Sequence, residues 1–222
     1  MNILTQNSKM KKSSKNGIDV YNFGIPAFQS KTGLRTCPNA GSCASGCYAK
    51  SGTYNFNNVI KAYEDRLQLT QDKDFIEIMS AEINLKYLKS KTKGNKCLIR
   101  IHDSGDFYSK DYARAWIRII ENNPNVEFYA YTKMVQLFED YIAILPKNFK
   151  VIYSFGGKQD AQIDINKHYH SKVFDSVEAL QAQGYTDATN DDLIAALGTD
   201  KKIGLVYHGI KKYANTNWNK VA

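Results

Sequence analysis

Residues 97–121 read CLIRIHDSGDFYSKDYARAWIRIIE, and the order of apolar and polar types in this stretch decides the fold class. Cys97 to His102 is a short apolar run closed by His102-Asp103-Ser104-Gly105-Asp106, the pattern of a buried strand ending in a turn. Lys110 to Glu121 follows with apolar residues at helical spacing, so the stretch predicts one βα unit. The same alternation recurs downstream. Short β-rich runs fall at Val126 to Tyr131, Lys150 to Ser154, Lys172 to Phe174 and Ile203 to Tyr207, and helical patterns at Met134 to Leu145, Ser176 to Gln183 and Asp191 to Leu197. A first strand is expected at Ile18 to Phe23, and two helices, Val59 to Thr70 and Lys73 to Ser90, precede the quoted unit. Strand and helix in turn at this spacing predict an α/β protein, either a partial (β/α) barrel or an open parallel sheet, of about six strands.

The 222 residues, 43% of them hydrophobic, suffice for one sizeable core. The expected organisation is a basic flexible tail at residues 1–16 and a single α/β domain at 17–222, with a cysteine loop at 36–58. No apolar run approaches the roughly 18 residues of a membrane span, and no signal peptide is evident. A protein of the cytoplasm is therefore expected. The formal charge is +8, but it divides into +5 over residues 1–36, −1 over 37–199 and +4 over 200–222. A near-neutral body with basic ends speaks against a specific nucleic-acid groove and for solvated termini.

In a parallel sheet the strand ends open on one rim, where sites are built. Four such ends carry small or polar residues: His102 to Asp106, Thr132-Lys133, Ser154-Phe155-Gly156-Gly157 and His208-Gly209. Candidate ligand contacts there are His102, Asp103, Lys133, Gly156 and Gly157. His102 or Asp103 suits a fourth iron ligand or an acid/base, or a turn in which Asp103 ties the Gly105 backbone and a nearby Ser or Asp caps the next helix. Gly156-Gly157 suits either close approach of backbone to a ligand or a plain turn, and Lys133 either neutralises an anion or is solvated. His168 and His170 are expected at the surface. Tyr48, Tyr54, Tyr108, Tyr129 and Tyr131, five of 15 tyrosines, lie near the rim in sequence and would shield a centre from water.

Three of the four cysteines, Cys37, Cys43 and Cys47, are spaced C-x5-C-x3-C among small residues that let a backbone turn sharply. In a reducing compartment this points to an inorganic centre, a [4Fe-4S] cluster before zinc, because zinc sites usually recruit a second Cys or His pair. A thiol cluster without metal is the remaining alternative. Cys97 begins its strand, on the order of 17 Å from the rim at about 3.3 Å per residue, which disfavours it as a fourth ligand.

The runs Cys37-Pro38-Asn39-Ala40-Gly41-Ser42-Cys43, Cys47-Tyr48-Ala49, Arg100 to Phe107, Trp116 and Phe128 to Lys133 resemble the bacteriophage gene 88 protein family, over about residues 18–160 and weakly to Tyr207-His208-Gly209. The resemblance implies a phage-encoded protein acting in the host cytoplasm. Its Cys-Tyr-Ala ending is distantly similar to radical S-adenosylmethionine (SAM) enzymes, whose partial barrels carry a three-cysteine loop after the first strand. That likeness implies redox or radical-type catalysis with SAM as a cofactor. The spacing departs from the C-x3-C-x2-C of those enzymes, which sets SAM binding in question, and no cysteine follows Cys97 to build a second centre. Whether the protein is an enzyme acting on a small molecule, an electron carrier with a redox partner, or a zinc or cluster module that binds nucleic acid or a host protein stays open at this level.

Overall fold

The computed structural model describes residues 2–207. His208, Gly209 and the basic C-terminal stretch lie outside the described residues. Seven strands form one sheet: β1 (Ile18–Phe23), β2 (Lys96–Ile101), β3 (Glu127–Thr132), β4 (Phe149–Ser154), β5 (His170–Phe174), β6 (Thr186–Asp187) and β7 (Lys202–Val206). Their order is β1-β2-β3-β4-β5-β7-β6 with every neighbouring pair parallel. The sheet is open and curls into a half-barrel. The strand beyond the expected six is β6, whose two residues are too few to show a period.

Both faces of the sheet are covered, so the strands read as apolar runs rather than as alternating ones. On the convex face Tyr21, Phe23, Cys97, Ile99, Ile101, Phe128 and Ala130 pack against α3 (Phe75–Lys91) and α4 (Lys110–Glu121). Helix α4 starts where Ser109 caps it, its Oγ accepting from the Tyr112 amide at 3.1 Å. The helix then buries Tyr112, Ala113, Trp116, Ile117, Ile119 and Ile120 on one side. On the concave face Val20, Leu98, Tyr129, Ile152 and Ile203 meet Met10, Ala188 and Ala195.

Met10 belongs to α1 (Ser8–Ser13), so residues read from sequence as a flexible tail pack into the barrel instead. Met10 is fully buried. Thr5 bridges to Asn22 of β1 in antiparallel fashion, and Lys9 pairs with Asp192 at 3.1 Å on α7 (Asp192–Leu197). The lysines on α1 mask in composition what two apolar side chains, Leu4 and Met10, do in packing.

Two further expectations change. The helical pattern at Met134 to Leu145 breaks into α5 (Val135–Glu139) and a single 3-10 turn, Ile142–Ile144. His168 and His170, read as surface residues, are buried. His170 packs its ring against Phe155 and Tyr185, and His168 sits against the Tyr153 ring with Nε2 3.3 Å from Glu139. The remaining helices are α2 (Asn57–Leu69) and α6 (Val177–Ala182). Among the described residues no helix is long and apolar enough to cross a membrane.

Candidate functional site

Parallel pairing brings the ends of β1 to β4 to one edge, and the loop between β1 and α2 folds across it. The loop is fastened at several points. Thr36 donates its hydroxyl to Pro26 O at 2.6 Å and accepts at its carbonyl from the Asp106 amide at 3.0 Å. Further on, the amides of Gly41 and Cys43 both donate to Gly156 O, at 3.2 and 3.1 Å, and Ala40 bridges to Gly157. Gly156 and Gly157 therefore do admit a close backbone approach, and the backbone that approaches is the cysteine loop. A Cβ on Gly157 would stand 3.1 Å from both Asn39 O and Lys133 Cβ. Their amides are occupied as well, each donating at 2.8 Å to an oxygen of Asp160.

Lys133 and Asp106 hold the neighbouring strand ends. The Lys133 ammonium donates to Ser154 O at 3.2 Å, Ser154 Oγ at 2.9 Å and Phe155 O at 3.1 Å, which satisfies its three protons. Asp106 is buried and accepts from Thr132 Oγ1 at 2.6 Å and from the amides of Phe107 at 2.8 Å and Lys133 at 2.9 Å. Asp106 thus does the tying that the sequence reading gave to Asp103. Asp103 instead takes the hydroxyls of Tyr63 at 2.8 Å and Tyr54 at 3.3 Å on Oδ2, and its carbonyl takes the Tyr48 hydroxyl. Burial pushes both carboxyls above the ordinary aspartate value, against the pull of these donors.

His102 turns inward rather than toward the loop. Its φ of 66° puts it in the left-handed region, where its amide and that of Asp103 both reach Phe23 O, at 2.9 and 3.2 Å. The ring lies among Phe23, Phe107, Tyr112 and Trp116 on the convex side, with Nε2 2.8 Å from the Tyr112 hydroxyl. Burial, helped by Arg100, pushes its pKa down to about 3. Cys97 lies at the opposite end of β2, paired in register with Asp19. It is buried there, with its thiol pushed up to about 12.

The three loop cysteines are half-buried and form no disulfide. Burial, with Asp106 and the other two cysteines adding to it, pushes the Cys37 thiol up to about 12 against an N–H···S bond from Phe28 of 3.3 Å. Burial and Cys43 raise the Cys47 thiol, while the Ala49 amide, Lys50 and Lys133 oppose them. Among the described residues, however, no group of three or more His, Cys, Asp or Glu side chains stands in metal-holding geometry.

Of the residues expected together at the rim, Lys133, Gly156 and Gly157 lie against the loop that carries Cys37, Cys43 and Cys47, while His102 turns into the convex core and Asp103 is taken by tyrosines. The sequence reading missed Asp106 as a hub and passed over Arg100, a charge at an inward position of an apolar strand, which was the available signal.

The family described as Gene product 88 matches residues 1–218. The Gene 88 protein of Mycobacterium phage L5 is 35% identical over 120 residues, covering 50% of this chain and 46% of the relative. The Gene 88 protein of Mycobacterium phage D29 is 34% identical over 120 residues with the same coverage. The matched region thus spans about half the length of these curated relatives. No solved structure matches the chain.

Proposed function

The chain belongs to the Gene product 88 family, and within it we propose a phage-encoded iron–sulfur protein that holds a [4Fe-4S] cluster through Cys37, Cys43 and Cys47. The observation that carries this reading is the gathering of three free, half-buried thiols on one loop at the C-terminal edge of a parallel half-barrel. The donor set fits such a group: three soft sulfurs, an N–H···S bond at Cys37 and another at Cys47, and cations near Cys47. Binding requires the sulfurs to draw together; Cys43 lies in the 3-10 turn Ser42–Ala44 and Cys47 directly before the turn Tyr48–Lys50, both outside the strands of the sheet.

The other side chains considered as ligands have different occupations. Cys97 is at the far end of β2, His102 is sealed in an aromatic cage, and Asp103 is bound by tyrosines. The proposed centre therefore has three cysteine ligands and one iron without one. A cluster so held supplies one-electron transfer and an open coordination position for a small molecule.

Anaerobic reconstitution with iron and sulfide tests the reading. Brown protein with a broad visible charge-transfer band and about four irons per chain is expected. The Cys37→Ser, Cys43→Ser, Cys47→Ser triple variant should lose the iron, and Cys97→Ala should keep it. Colourless protein with stoichiometric zinc, or iron content indifferent to the triple substitution, overturns it.

A further inference from the structure

Helix α3 is apolar on two sides. Phe75, Met79 and Ile83, at four-residue spacing, are buried in the convex core. Ile78, Ala81, Leu85 and Leu88 follow the i, i+3, i+7, i+10 spacing of a coiled-coil seam. At about 100° per residue this seam lies on the side of the helix away from the core. All four residues are exposed, Ile78 by 37%, Leu85 by 62% and Leu88 by 47%. One exposed leucine is ordinary on a monomer, whereas a contiguous apolar row marks a surface that something covers.

The groups that flank the seam say what fits it. Glu77, Asn84 and Lys91 stand along one flank at seven-residue spacing, an acid, an amide and a base in order, and all three are exposed. Lys91 rests over the Tyr87 ring of its own helix, 5.8 Å from the centroid. Along the other flank Glu82 is taken by Lys86 at 2.9 Å, and Lys89 follows. A second α3 running parallel would bring Glu77 against Glu82, like charge against like. Running antiparallel, with Ile78 against Leu88 and Ala81 against Leu85, it brings Glu77 against Lys91, Asn84 against its own counterpart and Lys91 against Glu77. The small Ala81 leaves room for Leu85, and Glu82, which meets its own counterpart, is already neutralised by Lys86. The flank is thus its own complement under a two-fold rotation, as an isologous interface requires.

We propose that α3 docks antiparallel against α3 of a second copy of this chain, forming a two-fold dimer through the seam of Ile78, Ala81, Leu85 and Leu88. Two helix faces of this length bury no more than the roughly 1,200 Å² at the low end of specific interfaces, so the association is weak, with a Kd on the order of 10–100 µM. The antiparallel arrangement also sets the dipole of each helix against that of the other.

The proposal does not rest on the iron–sulfur reading and is tested on the full chain as purified, with a thiol reductant present so that no disulfide joins two copies. Sedimentation velocity is followed from about 1 µM to about 1 mM. The sedimentation coefficient should rise with concentration from that of a monomer to that of a dimer. Leu85→Glu with Leu88→Glu should remain monomeric throughout, and because both side chains are exposed it should melt at the wild-type temperature or above it. Charge reversal tests the orientation. Glu77→Lys sets lysine against lysine at both ends of the seam and should weaken the dimer about tenfold, as should Lys91→Glu, while the two together restore the wild-type affinity. A wild type that stays monomeric, a dimer indifferent to the leucine substitutions, or a double reversal as weak as either single one overturns the proposal. Where the wild type stays monomeric, co-sedimentation with phosphatidylglycerol vesicles, lost in the leucine variant, assigns the seam to a lipid surface instead.

Discussion

Gly24, directly after β1, shows how much of the rim depends on a missing side chain. A Cβ there would lie 2.0 Å from Asp103 Oδ1 and 2.7 Å from Tyr63 Cε1. Neither neighbour is free to leave. Asp103 is held through Oδ2 by Tyr63 and Tyr54, and the Gly24 carbonyl accepts from buried Arg66 Nε at 2.8 Å. Gly24→Ala should therefore force this whole group apart, at about 1–3 kcal/mol as in other overpacked sites. Gly184 provides the comparison: its φ is 72° with nothing within 4 Å of a built Cβ, so Gly184→Ala carries only the roughly 1 kcal/mol of left-handed backbone strain. Urea denaturation of both variants checks the difference, and equal losses count against the crowding argument. No sequence pattern announces Gly24, because its constraint comes from a side chain on the turn after β2 and another on α2.

At the scale of elements, what was legible and what was not follows from length and period. The strands β1 to β4 were readable because each is a six-residue run dominated by apolar and aromatic side chains between turn-forming residues. Helix α4 was readable because its apolar residues share one face. The rim site was legible in part, since parallel strands necessarily open at one edge, whereas which loop docks on Gly156-Gly157 depends on contacts between residues far apart in sequence. Helix α1 was illegible for a different reason. Six residues are too few to show amphipathicity, and one methionine carries the packing. Met10→Ala should thus cost about 2–5 kcal/mol, as for other long apolar side chains truncated in a core, with a fall in urea midpoint at constant slope. A loss below about 0.5 kcal/mol would mean that residues 8–13 do not hold their place in the half-barrel.

The molecule as a whole sums its buried titrations into a response to acid. His102 contributes through a pKa depressed to about 3 by burial and by Arg100. A histidine depressed in the fold binds its proton in the unfolded chain first, so it costs nothing above about pH 6.5 and destabilises as pH falls below it, by up to about 1.4 kcal/mol per unit. Asp19 acts lower. Burial would raise it, but Ser14, Lys93 and Asn95 prevail and hold it at about 2. Its contribution is complete above the unfolded value near 3.9 and is lost as pH falls toward 2, about 1–2 kcal/mol after discounting for the half-exposed Lys93. Asp103 and Asp106 work in the opposite sense, since burial raises both and their protonated forms favour the fold. Each takes up its proton in the fold before the unfolded chain does, so above the ordinary aspartate value they oppose the histidine, and its share is isolated by comparing the wild type with a variant that lacks the imidazole. Between about pH 6.5 and 5 the urea-unfolding free energy of the wild type, taken relative to His102→Asn, should fall with acid by about 1 kcal/mol per unit. His102→Asn removes the titration with a residue that tolerates a left-handed backbone. It should be less stable at neutral pH because it leaves space among Phe107, Tyr112 and Trp116, yet its stability should change with pH less steeply. A variant with the wild-type slope would show that protonation of another group, and not of the caged imidazole, sets the acid response.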